Sequence, residues 1–146
     1  MIVLDAYALE AYLALEAAAP LVRDLILSGE QILVSGINLA EAVDRMVRVN
    51  GADPEVLAAD LSHLGLTVSA VDELVAFDAA ALRAAHYHRT RRAVSLADCC
   101  AAALALDRDA ALATSDPALL SLVHDEGGRV IALPGSDGAL WHPAGR

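Results

Sequence analysis

The chain has 146 residues, the size of one domain, and at that size roughly two-thirds of the unfolded surface can be buried without a disulfide or structural metal. It is 57% hydrophobic but only 3% aromatic, so the core must be built from Ala, Leu and Val, and the longest apolar runs fall short of the roughly 20 residues that span a membrane. The net charge is −10, and every basic residue apart from His is Arg; the absence of Lys excludes the P-loop nucleotide site and the phospho-acceptor signalling site, which both need one.

Ile2-Val3-Leu4 reads as a buried strand ending at Asp5. Leu9, Tyr12, Leu13 and Glu16 follow at helical spacing, and Pro20 opens a second helix that Gly29 stops. Ile32-Leu33-Val34 is the next strand. Asn38 reads as the N-cap of a helix to Val49, and Asp53-Pro54 opens another that ends at Gly65. Leu66-Thr67-Val68 is a third strand, followed by a helix from Asp72 or Asp78 to Arg89. Ser95 starts a helix to Leu106, Ala111-Leu112-Ala113 is a strand, and Asp116-Pro117 opens a helix that Gly127-Gly128 breaks before the strand Val130-Ile131-Ala132. Strands alternating with helices predict a five-stranded parallel sheet covered on both faces. The tail from Pro134 has no period and reads as loose, with Trp141 as its one candidate anchor.

Four acids fall at corresponding places. Asp5 and Asp116 each follow a strand, and Glu41 lies near the start of the helix after the second strand, so local reading puts these three at the carboxyl rim of the sheet, where open parallel sheets carry their sites. Asp98 precedes its strand, and only the fold can bring it to that rim. Each of three has an ordinary explanation: Asn38-x-x-Glu41 and Ser95-x-x-Asp98 have capping-box spacing, and Asp116-Pro117 is a good N-cap. Asp5 has no such explanation at this level, and an unpaired carboxylate at the end of a buried strand is costly. Clustered carboxylates repel one another and call for a cation. An all-oxygen donor set suits Mg²⁺ or Mn²⁺, which clamp phosphate oxygens and activate water without help from His, Cys or Lys.

Four segments, in order, resemble a PIN-domain ribonuclease of the VapC type, the toxin of a bacterial toxin–antitoxin pair. They are Ile2-Val3-Leu4-Asp5-Ala6, Asn38-Leu39-Ala40-Glu41 with an Arg-bearing helix behind it, Ser95-Leu96-Ala97-Asp98-Cys99-Cys100-Ala101-Ala102, and Ala113-Thr114-Ser115-Asp116. The resemblance covers residues 1 to about 133, which would be the PIN domain, with 134–146 as a C-terminal tail. It implies an α/β/α sandwich around a five-stranded parallel sheet. It implies that Asp5, Glu41, Asp98 and Asp116 bind Mg²⁺ or Mn²⁺ and catalyse endonucleolytic cleavage of RNA, with Thr114 supporting the last acid. A cognate antitoxin whose tail blocks the acidic site, and a homodimer, are the implied partners. Two positions depart from the family pattern: Tyr7 stands where Ser or Asn is usual, and Asp116 is followed by Pro117-Ala118-Leu119 without the common aromatic. A DNA-directed nuclease of this architecture and a non-catalytic interaction module are the rival readings.

Arg83, His86, His88, Arg89, Arg91 and Arg92 form the one basic concentration and lead into the segment bearing Asp98. Read functionally, Arg83, Arg89, Arg91 and Arg92 guide RNA phosphates; read structurally, they decorate a solvated helix end. His86 and His88 are spaced to face different ways, and His63 and His124 read as surface residues. Asp78 reads as a cap, and Asp44 and Arg45 as possible neighbours of the acids. Val43, Met46 and Val47 suit either a dimer surface or the core. The adjacent Cys99 and Cys100 have no partner and read as packing in a reduced chain; with no signal peptide or membrane span in view, a cytoplasmic location is expected.

Overall fold

Five strands and seven helices alternate along residues 1–143, the part of the chain that the computed structural model describes. In chain order they are β1 (Ile2–Leu4), α1 (Ala6–Leu13), α2 (Ala19–Ile26), β2 (Ile32–Ser35), α3 (Gly36–Arg48), α4 (Pro54–His63), β3 (Thr67–Ser69), α5 (Glu73–His86), α6 (Leu96–Asp107), β4 (Ala111–Thr114), α7 (Pro117–Asp125) and β5 (Arg129–Ala132). All strand pairs are parallel and the sheet order is β3-β2-β1-β4-β5. This is the expected α/β/α sandwich.

Alternation along the strands divides the core between two faces. Val3, Leu33, Leu112 and Val130 point to the layer of α5, α6 and α7. Ile2, Leu4, Ile32 and Ala113 point the other way, onto α1 and α2, and Val34 packs beside them with Leu9 and Ala42 of α1 and α3. Helix α6 is buried from Cys99 through Ala105, which is possible because most of those side chains are small. Both cysteines are free, and burial pushes the Cys99 thiol up to about 11, which fits an inert packing role. Met46 is buried, while Val43 and Val47 are half-buried, so core packing accounts for Met46.

Several helix ends differ from the sequence expectation. The cap of α3 is Ser35, whose Oγ accepts the Asn38 amide at 3.2 Å; Asn38 itself lies inside the first turn. Asp72 caps α5, and Asp78 is mid-helix, so it is no cap. That helix ends at His86 rather than Arg89, because residues 88–92 fold back in an antiparallel bridge between His88 and Arg92. In the tail, the Tyr7 hydroxyl donates to the Pro134 carbonyl at 3.2 Å, residues 135–139 close a turn, and the Trp141 ring stands edge-on to His124 at 6.1 Å. The tail's last residues, 144–146, lie outside the described part. Among the described residues no helix is long and apolar enough to cross a membrane.

Candidate active site

Strand order reverses between β1 and β4. From β1 the chain builds outward through β2 and β3 on one side; β4 and β5 extend the sheet on the other. Helices on either side diverge at such a switch point and leave a crevice above the carboxyl ends of the two strands. Leu4 is in register with Ala113, so the next residues, Asp5 and Thr114, meet across the crevice. The Thr114 hydroxyl donates to Asp5 Oδ2, and its oxygen accepts the Asp116 amide at 3.0 Å. One buried threonine thus couples both strand-end acids.

Three of the four acids are held at the start of a helix. Asp5 is the N-cap of α1, its Oδ1 accepting the Ala8 amide at 2.8 Å, so it does have the structural role that its sequence context did not reveal. Asp116 caps α7 through Oδ1 and the Ala118 amide at 2.7 Å. Asp98 completes a capping box with Ser95, accepting the Ser95 amide at 2.7 Å. Glu41 departs from expectation in the other direction. Because Ser35 caps α3, Glu41 lies in the second turn, forms no capping box, and is exposed without a hydrogen bond among the described residues. The start of α6 is tied to α3 by the Asn38 side chain, which donates to the Ala97 carbonyl at 3.3 Å, and this link brings Asp98 towards Glu41.

All four acids line one pocket of about 140 Å³, together with Ala6, Tyr7, Glu10 and Arg45. Glu10 was not anticipated; its one sequence signal is that it is the only charged residue in α1. Its buried carboxylate pairs with Arg45 at 3.0 Å. Asp44, by contrast, turns away and pairs with Arg48 at 2.9 Å on the surface. Tyr7 lines the pocket but gives its hydroxyl to the tail, so it supports the acids in no way that the usual Ser or Asn would.

The electrostatics record like charges gathered with too little compensation. Burial raises Asp5 from the ordinary carboxylate value of 3.8 to about 7, against the pull of the Thr114 and Ala8 hydrogen bonds, and Asp98 and Asp116 add repulsion. Glu41 is raised by desolvation and then by Asp98, and Asp116 by desolvation and again by Asp98. Asp98 therefore acts on all three others and is the electrostatic centre of the group. Among the described residues no three His, Cys, Asp or Glu groups already converge on an ion-sized point. The donor set nevertheless fits a hard cation in kind and in charge: it is all oxygen, and Asp98 Oδ1 and both Glu41 oxygens are uncommitted among the described hydrogen bonds. Binding would draw these side chains together.

The basic segment is less uniform than its sequence suggests. Arg92 is committed to Asp125 at 2.6 Å and to His86, which also meets Glu126 at 2.5 Å. Arg83 donates to the Val94 carbonyl at 3.2 Å and stacks 4.3 Å from the Tyr87 ring centre. Only Arg89 and Arg91 are exposed with no side-chain partner among the described residues. None of the four lines the acidic pocket.

The family model described as PIN domain matches residues 2–123. No curated protein matches the chain. Solved structures share its fold: VapC20 of Mycobacterium tuberculosis, described as a sarcin-ricin loop cleaving toxin, is similar at 18% identity and TM-score 0.67 over 83% of this chain and 94% of that one. VapBC2 of Rickettsia felis, solved bound to a DNA fragment from its promoter, gives 16% and 0.66 over 90% and 98%. FitAcB of Neisseria gonorrhoeae gives 22% and 0.65 over 89% and 96%. The switch-point fold and a family match over most of its length agree: the chain belongs to the PIN domain family.

Proposed function

We propose that the chain is an endoribonuclease that works with bound Mg²⁺ or Mn²⁺, acts in the cytoplasm as the toxin of a toxin–antitoxin pair, and is neutralised by a cognate antitoxin. The observation that carries this reading is the gathering of Asp5, Glu41, Asp98 and Asp116 around one pocket, with Asp5 buried and pushed to about 7. Helix capping accounts for Asp5, Asp98 and Asp116 singly but not for their gathering with Glu41, in which Asp98 raises the other three, and raised carboxylates in a cleft are the usual mark of a functional site. The similar structures add support, since the one from Mycobacterium tuberculosis is described as a toxin that cleaves the sarcin-ricin loop and a further one, from Klebsiella pneumoniae at 15% identity and TM-score 0.61, as a toxin–antitoxin complex. A homodimer belongs to the same proposal.

The four carboxylates would hold the metal, which when bound supplies Lewis acidity and a more acidic water. The chain's own contribution is positioning. Thr114 fixes Asp5 and the Asp116 backbone together, the Ser95 box fixes Asp98, and Glu41, with both oxygens uncommitted, is the side chain most able to turn towards a water and accept its proton. Arg89 and Arg91 would steer the RNA backbone from outside the pocket.

The test is cleavage of a labelled RNA pool by purified, antitoxin-free protein with Mg²⁺, Mn²⁺ or EDTA, beside Asp5→Ala. Cleavage that needs metal and is lost in the variant supports the reading. Folded wild-type protein that binds no Mn²⁺ and cuts no RNA would leave the interaction-module reading, and cleavage of DNA alone would replace the substrate.

A further inference from the structure

Five carboxylates and one guanidinium face the pocket, and the guanidinium is moored in an unusual way. Glu10 is a buried side chain, 8% exposed, whereas Arg45 is 52% exposed. The closest approach of the ion pair is Arg45 Nε to Glu10 at 3.0 Å, and among the described residues the guanidinium makes no hydrogen bond. Arg45 follows Glu41 by four positions on α3, so the two share a face, and Arg45 offsets part of the repulsion on Glu41. A surface arginine loses several rotors when it binds an anion. This one is already paired with a buried acid at the wall of the cleft, and its donors have no hydrogen-bond partner among the described residues.

We infer that Arg45, anchored by Glu10, contacts a non-bridging oxygen of the scissile phosphate. The inference rests on the proposed nuclease reading and names the substrate group this residue recognises. A phosphodiester entering a pocket lined by five acids meets repulsion that a divalent ion alone offsets only in part, and Arg45 is the one cation within the lining. Its planar fork suits phosphate oxygens, and a preorganised donor on the transferred group is worth more inside such a cleft than in water. Glu10 is a positioning residue here: its charge serves Arg45 rather than the metal.

The experiment compares wild type, Arg45→Gln, Arg45→Lys and Glu10→Gln in three readouts: steady-state cleavage of a labelled RNA in Mn²⁺, Mn²⁺ affinity without RNA, and anisotropy of a fluorescent RNA oligonucleotide in Ca²⁺. Arg45→Gln should lower kcat/KM by about tenfold or more, with Arg45→Lys intermediate, while melting temperature and Mn²⁺ affinity stay near wild type. Glu10→Gln should lose less than Arg45→Gln, because the charge remains and only its mooring goes. An Arg45→Gln loss matched by weaker Mn²⁺ binding or by unfolding would overturn the proposal, as would kcat/KM within twofold of wild type. If wild type cuts no RNA, the nuclease reading fails by itself, and anisotropy decides: oligonucleotide binding that Arg45→Gln weakens at least about fivefold retains the anion contact, and equal or absent binding removes it.

Discussion

Two charge clusters in this molecule follow opposite rules. Around the ends of α5 and α7, His86, Arg92, Asp125 and Glu126 pair acid with base at 2.5 to 2.6 Å. At the carboxyl rim, Asp5, Glu41, Asp98 and Asp116 face one another with Arg45 as the one nearby cation, and burial and mutual repulsion raise three of them. The two lie along one helix: Asp116 opens α7 and Asp125 ends it, roughly 13 Å apart at 1.5 Å per residue. The first cluster is complete in itself and holds the 86–94 segment against α7. On the proposed function the second is complete only with a bound cation. Proteins tolerate uncompensated charge where function needs it, so the contrast separates scaffold from site without reference to any relative.

The largest test of the contrast is catalytic. Asp5→Asn or Asp98→Asn should lower Mn²⁺-dependent RNA cleavage by about a thousandfold or more with the fold intact, measured as initial rates beside a melting curve. Retention of a tenth of the activity in either variant would mean that the acids are not a working group.

Next comes stability against pH. Asp5 binds its proton more tightly folded than unfolded, so between about pH 4 and 7 the native state holds the extra proton and stability falls as pH rises. The shift from 3.8 to about 7 sets an upper figure of about 4 kcal/mol. Urea titrations of metal-free protein should therefore show greater stability near pH 5 than near pH 7.5, and saturating Mn²⁺ should flatten that slope. A metal-free curve that rises from pH 5 to 7.5 would contradict the picture.

Smaller still, and opposite in sign, are single charge removals in the two clusters. Glu41→Gln should stabilise the metal-free protein by a few tenths of a kcal/mol, by relieving repulsion, whereas Arg92→Ala should destabilise it by less than about 1 kcal/mol, being a half-exposed pair. Equal signs in chemical denaturation would erase the distinction. The smallest effect is expected for Arg89→Ala with Arg91→Ala: RNA binding should weaken about two- to fivefold at low salt and converge with wild type at high salt.

Much of this was readable from residues alone. Each of the five expected strands is present, because short apolar runs bounded by Gly, Pro and caps leave few alternatives in a parallel sheet. Asp116-Pro117 and Ser95-x-x-Asp98 cap as their spacing predicts. The failures share one cause: local signals cannot rank competing caps or show what lies across space. Asn38 and Ser35 are both good caps, and tertiary contact decided for Ser35, freeing Asn38 to reach Ala97. Asp98 reaches the rim only because α6 starts beside α3, after the 87–95 connection. Glu10 is the one charged residue in an apolar helix, and its meaning depends on Arg45, which lies 35 positions later. Asp78 was misassigned because Asp72 and Asp78 both precede apolar runs.

The hydrogen bond from Thr114 to Asp5 joins residues 109 positions apart, at the end of the parallel pairing of β1 with β4. A chain emerging from a ribosome at roughly 5 to 20 residues per second makes its first acid near the start and its last some 5 to 20 seconds later. During that interval β1 has no β4 to lie against, Asp5 has no threonine to hold it, and the crevice has one wall. Topology thus acts as a delay line: no fragment that stops short of β4 can assemble the four-acid pocket.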